Sequence, residues 1–254
     1  MAHLDFDLSG KVILVTGGSG SIGRAVCEGF AEAGARVAVV DIDQSACKAV
    51  AASLGDGHGG WGMDLREFAK LDGLVAMIAE ALGPIDVLVN IAGVIKRTDD
   101  LFAVTEDDWD AQHDVNLKAL FFLCQAVARR MVKEGRAGCI INYSSQGWMS
   151  GSYGGSVIYN ATKGAVTTMT RGMARAWASH QIRVNAVAPG LVETPMLMNE
   201  DTTEEQIEQL TQSIPLKRLG QPSDHVGMTV FLATDMASYI TGATLNVSGG
   251  FLMY

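Results

Sequence analysis

The clearest structural signal in this chain is the segment Lys11-Val12-Ile13-Leu14-Val15-Thr16-Gly17-Gly18-Ser19-Gly20-Ser21-Ile22-Gly23. It begins with a short apolar run next to a glycine, which predicts a buried strand. A glycine-rich turn follows at once, and residues 24–33 then place apolar side chains at helical spacing before Gly34. A strand, a glycine-rich turn and a helix in this order predict the first half of a dinucleotide-binding βαβ unit. Glycine lets the backbone approach a pyrophosphate, and the start of the helix offers free N–H groups to its charge.

An acidic residue ends the second predicted strand, which covers residues 36–40. Asp41 lies eighteen residues after Gly23, where a carboxylate can accept hydrogen bonds from both ribose hydroxyls of an adenosine. The same negative charge repels a 2′-phosphate. No lysine or arginine follows among residues 42–44, and Arg24 is the nearby cation that could favour the phosphorylated cofactor. The pattern therefore predicts NAD rather than NADP.

The rest of the chain alternates strand and helix, without a linker or an internal repeat. Further strands are predicted at residues 59–63, 85–90, 139–142, 182–188 and 244–247, and further helices at 67–82, 106–133 and 157–179. This alternation predicts an α/β fold, with one doubly wound parallel sheet of seven strands and helices on both faces, in a single domain over residues 1–254. Ligands bind such sheets beyond the carboxyl ends of the strands. The residues at or just past predicted strand ends, which should therefore share one rim, are Asp41, Asp64, Asn90, Ser145 and Pro189.

Two side chains suited to acid–base chemistry stand one helical turn apart. Tyr159 and Lys163 are four residues apart in the helix predicted over residues 157–179, so the phenol and the ammonium share a face. A free tyrosine titrates near ~10, and an adjacent cation lowers the phenol pKa toward the range useful for general acid–base catalysis. This spacing also occurs by chance. The dinucleotide-binding pattern and the pair Ser144-Ser145 shortly upstream favour an active site.

Composition agrees with a soluble enzyme that has one large core. Hydrophobic residues make up 48% of the 254 residues, and the formal net charge of -9 argues against nucleic acid and anionic membranes as partners. The start of the chain lacks the basic and apolar parts of a signal peptide, and no uncharged run reaches the ~20 residues of a membrane span. The 4 cysteines include no CxxC pair and the 5 histidines show no metal-ligand spacing. Reduced thiols, a cytoplasmic location and no bound metal are therefore expected.

Taken in order, these motifs resemble the short-chain dehydrogenase/reductase family over nearly the whole chain. The segments that carry the resemblance are Thr16-Gly17-x-x-x-Ser21-Ile22-Gly23 for the family's TGxxxGxG turn, Asn90-Ile91-Ala92-Gly93 for its NNAG segment, Asn116, the set Ser145, Tyr159 and Lys163, residues 185–190, and residues 242–250. Each segment alone is modest support for the family. Their order along one chain makes the resemblance specific.

Three departures from the family pattern affect the predicted site. Ser21 replaces the middle glycine of the turn, and its hydroxyl could donate to the pyrophosphate; a GxGxxG pattern that starts at Gly18 is the other possible register. Ile91 replaces the second asparagine of NNAG. Ser145 lies fourteen residues before Tyr159, one more than the commonest family spacing, so the intervening loop is expected to bulge. Of the two adjacent serines, Ser145 is preferred as the catalytic hydroxyl, because the second serine of such a pair usually holds that role in the family.

The resemblance implies an NAD-dependent oxidoreductase that interconverts a secondary alcohol and a ketone on a small-molecule substrate. Tyr159 would take the alcohol proton as a phenolate, Lys163 would lower the phenol pKa and hold the nicotinamide ribose, and Ser145 would donate to the substrate oxygen. Asn116 would hold a water that links Lys163 to solvent, or else be a helix-interior amide bonded to backbone. The predicted catalytic residues are Asn116, Ser145, Tyr159 and Lys163, and the predicted cofactor contacts are Gly17, Ser19, Ser21, Ile22, Gly23, Asp41, Ile42, Asp64, Leu65, Asn90, Ala92, Gly93, Tyr159, Lys163, Pro189, Gly190, Val192 and Thr194.

The sequence defines the substrate side of the site less well. Residues 192–214 lie where the family carries its substrate lid, and residues 204–208 are acidic and helical in character. An acidic run is also typical of a solvated helix face. Lys96 and Arg97 follow Gly93 closely and could contact an anionic or polyhydroxylated substrate, or form a plain surface pair. This segment and the Trp109 region look similar to the sugar and sugar-acid dehydrogenases of the family.

Two other functions stay open at this point. A 3-oxoacyl-carrier-protein reductase would normally use NADP, which Asp41 disfavours. A non-catalytic cofactor-binding protein of the same fold could dispense with Tyr159 and Lys163, and both are present. The resemblance also implies a homotetramer, with the helices predicted at 106–133 and 157–179 in an interface and the apolar residues 251–254 against a neighbour.

Overall fold

The computed structural model describes residues 6–151, 155–198 and 203–254. Its strands are β1 Val12–Thr16, β2 Arg36–Asp41, β3 Gly59–Gly62, β4 Val87–Asn90, β5 Gly138–Tyr143, β6 Ile182–Pro189 and β7 Thr244–Val247. All of them are parallel and form one sheet in the order β3-β2-β1-β4-β5-β6-β7. The chain runs outward from β1 to β3 and then crosses to β4 on the other side of β1, so the strand order reverses between β1 and β4. The predicted doubly wound sheet of seven strands is confirmed.

Helices cover both faces of the sheet. They are α1 Ser21–Glu32, α2 Gln44–Ser53, α3 Leu71–Leu82, α4 Glu106–His113, α5 Leu120–Lys133, α6 Gly147–Ser150, α7 Val157–Trp177, α8 Glu204–Ser213 and α9 Val226–Ala233. Helices α3, α5 and α7 pack on one face against a core that includes Leu14 and Leu88. Helices α1, α2 and α9 pack on the other face against Ile13 and Val15. Because alternate residues of β1 supply both cores, this strand is a continuous apolar run rather than an alternating one.

The sequence pattern predicts neither α2 nor α9, nor the four-residue α6. Helix α2 begins after Asp43, whose carboxylate accepts hydrogen bonds from the backbone N–H groups of Ser45 at 2.7 Å and Ala46 at 3.1 Å. Such a cap is a local signal for a helix start. Helix α9 is mostly apolar and contributes Val230 and Leu232 to the core. It therefore lacks the polar face by which an amphipathic helix is found in a sequence.

The helix predicted over residues 106–133 is interrupted in its middle. Helix α4 ends at His113, a π-helix covers Asp114–Ala119, and α5 begins at Leu120. A π-helical turn has a wider hydrogen-bond spacing and changes the phase of the side chains around the helix axis. Asn116 lies within this turn, and its side chain contacts Val94 in the segment that follows β4. The interruption therefore occurs at a predicted site residue.

All four cysteines are free and buried. Burial raises the thiol pKa of Cys47 and Cys139 to about 11 and that of Cys124 to about 12. The thiol pKa of Cys27 is also raised by burial, well above its usual range. At neutral pH these residues therefore act as small apolar side chains.

A helix that crosses a membrane must be long and predominantly apolar. None of the helices within residues 6–151, 155–198 and 203–254 combines the length and the apolar character needed to cross a bilayer. Within the same ranges, histidine, cysteine, aspartate and glutamate side chains form no group of three or more that could hold a metal ion.

Candidate active site

A cavity of about 1390 Å³ opens along the carboxyl ends of the strands. The glycine-rich turn after β1, the end of β2 and the segments that follow β3, β4, β5 and β6 line it, and α8 covers part of it. The cavity thus lies where the strand order reverses, which is the usual ligand site of a doubly wound sheet. Its volume exceeds the roughly 300–1,000 Å³ of a typical single-ligand pocket. A dinucleotide and a small substrate would fit in it together.

Most of the predicted site residues line this one cavity. They are Gly17, Ser21, Ile22, Gly23, Asp41, Ile42, Asp64, Leu65, Ala92, Gly93, Ser145, Tyr159, Lys163, Pro189, Gly190, Val192 and Thr194. Three predicted residues, Ser19, Asn90 and Asn116, do not line it. The side chain of each hydrogen-bonds to neighbouring protein groups instead.

The glycine-rich turn is packed too closely to accept side chains. A Cβ on Gly23 would lie 1.9 Å from the Gly17 carbonyl oxygen, and one on Gly17 would lie 2.7 Å from the Ala92 backbone nitrogen. Gly17 also has a φ of +67°, which favours glycine. Among the described residues, no side chain caps α1, which begins at Ser21, and its first turn contains no acidic residue. The N–H groups at the start of α1 are therefore available to an anion such as a pyrophosphate.

Asp41 lies at the adenosine end of the predicted cofactor site. Its Oδ2 accepts hydrogen bonds from the Ser19 backbone N–H at 3.1 Å and from the Ser19 hydroxyl at 2.6 Å, and its Oδ1 accepts one from the Ile42 N–H at 2.8 Å. These bonds fix the carboxylate at the end of β2. The Ser19 hydroxyl is bonded to Asp41, and Ser19 does not line the cavity. A carboxylate has about four lone-pair sites, so Asp41 can still accept from a ligand hydroxyl.

Two arginines bear on the choice between NAD and NADP. Arg66 lines the cavity, and its guanidinium pairs with both oxygens of Asp64 at 3.0 Å and 2.6 Å. This bond holds the pKa of the Asp64 carboxyl below its usual range. The Arg24 Nε donates to Glu28 Oε1 at 3.1 Å. Arg66 is a cation that the sequence pattern does not single out, because it follows β3 rather than β2.

Tyr159 and Lys163 lie one turn apart on α7, with the Lys163 Nζ 5.5 Å from the centre of the Tyr159 ring. Lys163 is buried, and its Nζ donates to the Tyr143 carbonyl oxygen at 2.8 Å. Burial lowers the pKa of Lys163 to about 8. For Tyr159, burial raises the phenol pKa to about 12, while a hydrogen bond with Ser145 and the positive charge of Arg97 oppose the rise.

Among the protein groups, burial and not Lys163 sets the direction of the Tyr159 pKa shift, and the predicted lowering by Lys163 together with bound NAD⁺ stays a prediction. Loss of water around the phenol disfavours its charged form by more than the neighbouring groups stabilise it. The Lys163 ammonium lies 5.5 Å from the centre of the Tyr159 ring and donates a hydrogen bond to the Tyr143 carbonyl oxygen. The spacing correctly places both side chains on one helix face, but burial decides the direction of the pKa shift.

The two adjacent serines have different surroundings. The Ser144 hydroxyl is buried, donates to the Lys163 carbonyl oxygen at 2.9 Å and lies 2.9 Å from Thr167 Oγ1. It therefore joins the end of β5 to α7. The Ser145 hydroxyl accepts from the Gly147 backbone N–H at 3.2 Å, and its interaction with the Tyr159 phenol opposes the rise in the phenol pKa. The geometry thus brings Ser145, not Ser144, to the phenol.

Substitution of the two serines should separate these roles. We expect Ser145→Ala to lower kcat about a hundredfold, as for the loss of one transition-state donor. Ser144→Ala should reduce kcat much less but lower the free energy of unfolding by about 1 kcal/mol, because it removes buried hydrogen bonds to α7. Steady-state kinetics and chemical denaturation of both variants measure the two effects. If Ser144→Ala is the more damaging to kcat, Ser145 is not the catalytic hydroxyl.

Two asparagines hold the strand ends near the cavity. The Asn90 Nδ2 donates to Asn142 Oδ1 at 2.9 Å and to Cys124 Sγ at 3.2 Å, which joins β4 to β5 and α5. The Asn116 Nδ2 donates to the Val94 carbonyl oxygen at 2.8 Å, and its Oδ1 accepts from the Val94 N–H at 2.8 Å. The Asn116 amide is thus bonded to backbone, which is the second of its two interpretations. Its water-holding role stays a prediction.

Lys96 and Arg97 contact different parts of the protein. Lys96 forms an ion pair with Asp108 on α4, and its side chain is largely exposed. The Arg97 Nη1 donates to the Met196 carbonyl oxygen at 3.0 Å, so Arg97 joins the segments that follow β4 and β6. Its charge also acts on Tyr159. Both residues line the cavity, and Arg97 is the one of the pair whose charge acts on the Tyr159 phenol.

The described parts of the predicted lid lie against the cavity. Residues 194–197 line it, and so do four residues of α8, Gln206, Gln209, Leu210 and Ser213. The hydroxyl of Thr203 accepts from the Gln206 N–H at 3.2 Å, while Gln206 Oε1 accepts from the Thr203 N–H at 2.9 Å. This capping box fixes the start of α8. Residues 199–202 of the predicted lid lie outside the described residues, and so do residues 152–154 of the loop expected to bulge.

The sequence pattern also does not single out Gln146 and Ser150. Both line the cavity, from the position before α6 and from its last residue. The Gln146 Oε1 and the Ser150 Oγ are buried and have no hydrogen-bond partner among the described residues. Their nearness to Ser145 along the chain is the one sequence signal for them, because α6 is too short to show a periodicity.

Comparison with known proteins places this architecture in a family. A family model described as "Enoyl-(Acyl carrier protein) reductase" matches residues 17–252. The 2-dehydro-3-deoxy-D-gluconate 5-dehydrogenase of Escherichia coli (strain K12) is 38% identical over 253 residues, which are 97% of each chain. The sorbitol dehydrogenase of Cereibacter sphaeroides is 36% identical over 96% of this chain and 98% of its own. The 3-oxoacyl-[acyl-carrier-protein] reductase of Vibrio cholerae is 38% identical over 97% of this chain and 99% of its own.

Solved structures agree with these relatives. A short-chain type dehydrogenase/reductase from Mycobacterium marinum has a TM-score of 0.92 at 32% identity over 98% of both chains. A proposed NAD(P) dependent gluconate 5-dehydrogenase from Beutenbergia cavernae, with bound NADP at low occupancy, has a TM-score of 0.91 at 34% identity over 97% of this chain and 98% of its own. A 3-ketoacyl-(acyl-carrier-protein) reductase from Brucella melitensis complexed with NADH has a TM-score of 0.91 at 31% identity over 97% of this chain and 100% of its own. The chain therefore belongs to the short-chain dehydrogenase/reductase family of oxidoreductases.

Proposed function

We propose that this protein is an NAD-dependent oxidoreductase that interconverts a secondary alcohol and a ketone on a sugar, polyol or sugar acid. The observation that carries the proposal is that Ser145, Tyr159 and Lys163 line one cavity together with Asp41, with Lys163 one helical turn from Tyr159. Relatives named for a sugar-acid derivative and for sorbitol support the substrate class.

The cavity has the features needed to hold a dinucleotide. The closely packed Gly17 and Gly23 leave the backbone bare, and the start of α1 offers N–H groups to a pyrophosphate. Asp41 would bind the adenosine ribose, and Lys163 the nicotinamide ribose. When bound, the nicotinamide supplies the hydride chemistry and, in its oxidised form, a positive charge. The remaining chemistry belongs to the side chains of the protein.

In the oxidative direction, Tyr159 would take the proton from the substrate hydroxyl at its phenol oxygen. Ser145 would donate a hydrogen bond to the same substrate oxygen and stabilise charge there as it develops. The raised phenol pKa of about 12 already includes the opposing charge of Arg97, so Tyr159 is a weak acid and its ionisation depends on further positive charge in the cavity. Asn116 holds the segment after β4 in place, and a water beside it would pass the proton to solvent.

Arg97 is the side chain that best fits a negatively charged or polyhydroxylated substrate. It lines the cavity, and its charge acts on Tyr159. Lys96 is paired with Asp108 and is less suited to that role. A planar guanidinium can bind a carboxylate with two parallel hydrogen bonds. A sugar acid would therefore gain more from this site than an uncharged polyol.

A 3-oxoacyl-carrier-protein reductase is the second candidate, because a relative with that name is 38% identical over 247 residues. The cofactor does not separate the two functions, since a reductase of this kind has been solved with NADH. The substrate does. A non-catalytic role is disfavoured by the presence of Ser145, Tyr159 and Lys163 in one cavity.

The proposed function can be tested with a substrate panel. The purified protein is incubated with NAD⁺ and sugar acids, polyols or sugars, and the absorbance of the reduced nicotinamide is followed. In parallel, it is incubated with NADH and a 3-oxoacyl thioester. Oxidation of at least one hydroxylated substrate, with little or no thioester reduction, is the expected result. Turnover of the thioester alone would establish the second candidate instead.

Cofactor preference gives a separate prediction. If Asp41 binds the ribose and repels a 2′-phosphate, NAD⁺ should bind far more tightly than NADP⁺, and Asp41→Ala should narrow the gap by about tenfold to a hundredfold. Asp41→Asn keeps the shape of the side chain but removes its charge. It should narrow the difference in affinity by strengthening NADP⁺ binding. Titration calorimetry with both cofactors measures the gap, and the exposed Asp56→Ala is a matched control. Equal affinity of the parent protein for NAD⁺ and NADP⁺ would refute the assignment.

The proposal includes a homotetramer in the cytoplasm. Phe121 and Phe122 on α5 are 37% and 38% exposed, and Trp109 on α4 is 47% exposed. Apolar side chains exposed on the helices expected at an interface support association. The Tyr254 ring packs 5.1 Å from the Trp148 ring, so the C-terminal residues rest at least in part on their own chain. Light scattering of the purified protein gives the oligomeric state, and a monomer would contradict this part of the proposal.

A further inference from the structure

Two residues that line the cavity carry buried polar atoms with no hydrogen-bond partner in the part of the chain that the structure describes. Gln146 is 7% exposed, and its Oε1 has no hydrogen-bond partner within the described residues. One helical turn later, the Ser150 Oγ is also buried and is unpaired within the same residues. Both residues line the cavity. Buried polar atoms are normally hydrogen-bonded, and an unpaired one destabilises the folded state, so two such atoms in one cavity indicate a ligand that would pair them.

The backbone of Gln146 is fixed next to the reacting groups. Its N–H donates to the Pro189 carbonyl oxygen at the end of β6 at 2.8 Å, and its carbonyl oxygen accepts from the Met149 N–H at 3.3 Å. The residue before it, Ser145, lines the cavity together with Tyr159 and acts on the phenol pKa. Gln146 is therefore the residue next to Ser145, whose hydroxyl would hold the substrate oxygen. The two neighbouring residues line the same cavity.

We propose that Gln146, assisted by Ser150, recognises a substrate hydroxyl on the carbon next to the reacting carbon. The inference rests on the proposed function, because it takes Ser145 and Tyr159 as the groups that hold the reacting oxygen. A substrate hydroxyl can donate to the Gln146 Oε1 and accept from its Nε2 or from the Ser150 hydroxyl. It would thus pair both atoms that the protein leaves unpaired.

This pairing separates two classes of substrate. A sugar, polyol or sugar acid has a hydroxyl on the carbon next to the reacting one. A 3-oxoacyl chain has methylene groups there, which can neither donate to the Gln146 Oε1 nor accept from Ser150. Binding such a chain would keep both polar atoms buried and unpaired, and a site built to hydrogen-bond a hydroxyl rejects an analogue that lacks it. Gln146 and Ser150 are therefore specificity residues for a vicinal hydroxyl.

A substrate pair that differs by one hydroxyl tests the inference. The pair is an accepted polyol or sugar acid and its analogue without the hydroxyl next to the reacting carbon. We expect Gln146→Met, which keeps the length of the side chain, to lower kcat/KM for the hydroxylated substrate about tenfold to a hundredfold. The kcat/KM for the deoxy analogue should change little, so the enzyme should lose most of its selectivity for the hydroxylated substrate. Gln212→Met is the matched control, because Gln212 is exposed on α8 and lies outside the cavity lining.

Thermal unfolding provides a readout that does not depend on turnover. Gln146→Met should leave the Tm unchanged or raise it, because it removes an unpaired buried amide. A structural role, for example through an ordered water, would instead lower the Tm and reduce turnover of both substrates alike. Ser150→Ala should lower the same selectivity by a smaller factor, and it keeps the inference testable if Gln146→Met does not fold.

The outcomes distinguish failure of the inference from failure of the proposed function. Equal losses on the hydroxylated substrate and its deoxy analogue, or no loss on either, would overturn the role of Gln146 while the enzyme remained a sugar or polyol dehydrogenase. A parent protein that reduces 3-oxoacyl thioesters but oxidises no hydroxylated substrate would overturn the proposed function, and the inference would fail with it.

Discussion

Tyr159→Phe is expected to abolish turnover while cofactor binding stays nearly intact. The variant loses the one group placed to take the substrate proton, and a general base contributes about 10²–10⁴ to the rate. Phenylalanine still fills the space of the ring next to Lys163, so the shape of the cavity is kept. In the parent protein, kcat/KM for oxidation should rise with pH, because the phenolate is the active form and the pKa of the phenol is raised by burial. Steady-state kinetics over a pH range and a fluorescence titration with NADH measure both effects.

The matched control for this variant is Tyr239→Phe. Tyr239 is fully exposed, so the same loss of a hydroxyl there should change neither turnover nor NADH affinity. If Tyr159→Phe keeps substantial activity on an accepted substrate, the phenol is not the base. If it loses NADH binding as well, the hydroxyl serves the cofactor and the proposed separation of roles is incorrect.

Lys163→Ala should damage both turnover and cofactor binding. The ammonium is buried, donates to the Tyr143 carbonyl oxygen and lies 5.5 Å from the Tyr159 ring. Its removal leaves the Tyr143 carbonyl oxygen without its partner and opens a cavity beside the phenol. We expect kcat to fall by at least about a hundredfold. The Kd for NADH should rise about tenfold or more, because a charge-assisted hydrogen bond to the ribose is lost.

Lys163→Met separates charge from volume. Methionine fills most of the space of the lysine side chain. If the role of Lys163 were purely structural, the methionine variant would therefore keep most of the turnover and the alanine variant would not. We expect both variants to be equally inactive and to differ only in Tm, with methionine the more stable. Recovery of turnover in Lys163→Met would show that packing, and not the ammonium, is what the site needs at this position.

The fold could be predicted from the sequence because its main signals are local. The apolar run of β1 and the glycine-rich turn behind it each follow from a few neighbouring residues. A Cβ on Gly23 would lie 1.9 Å from the Gly17 carbonyl oxygen, so this turn needs glycine for a reason that its sequence spacing already indicates. The π-helix at Asp114–Ala119 could not be predicted, because residues 106–133 contain no glycine or proline that would mark an interruption.

The candidate site shows what a linear pattern leaves out. Spacing places Tyr159 and Lys163 on one helix face, but the pKa of the phenol depends on how much water the folded protein removes from it. Ser19 lies in the expected turn, yet its hydroxyl is engaged by Asp41, which is twenty-two residues away in the sequence. Gln146 carries no motif, and its unpaired Oε1 becomes visible only when the surrounding atoms are in place. Such features depend on contacts between distant parts of the chain.

The burial of every cysteine has a practical consequence for studying the motion of this protein. With thiol pKa values raised to about 11 for Cys47 and Cys139 and about 12 for Cys124, and that of Cys27 raised as well, almost no thiolate is available near neutral pH. Maleimide and iodoacetamide dyes react with thiolates, so the native thiols should not react during labelling. A single cysteine introduced on the outer surface, such as Gln212→Cys on α8, would then take up one fluorophore without removal of any natural cysteine. Spectroscopy of that probe could follow the segment over the cavity as ligands bind.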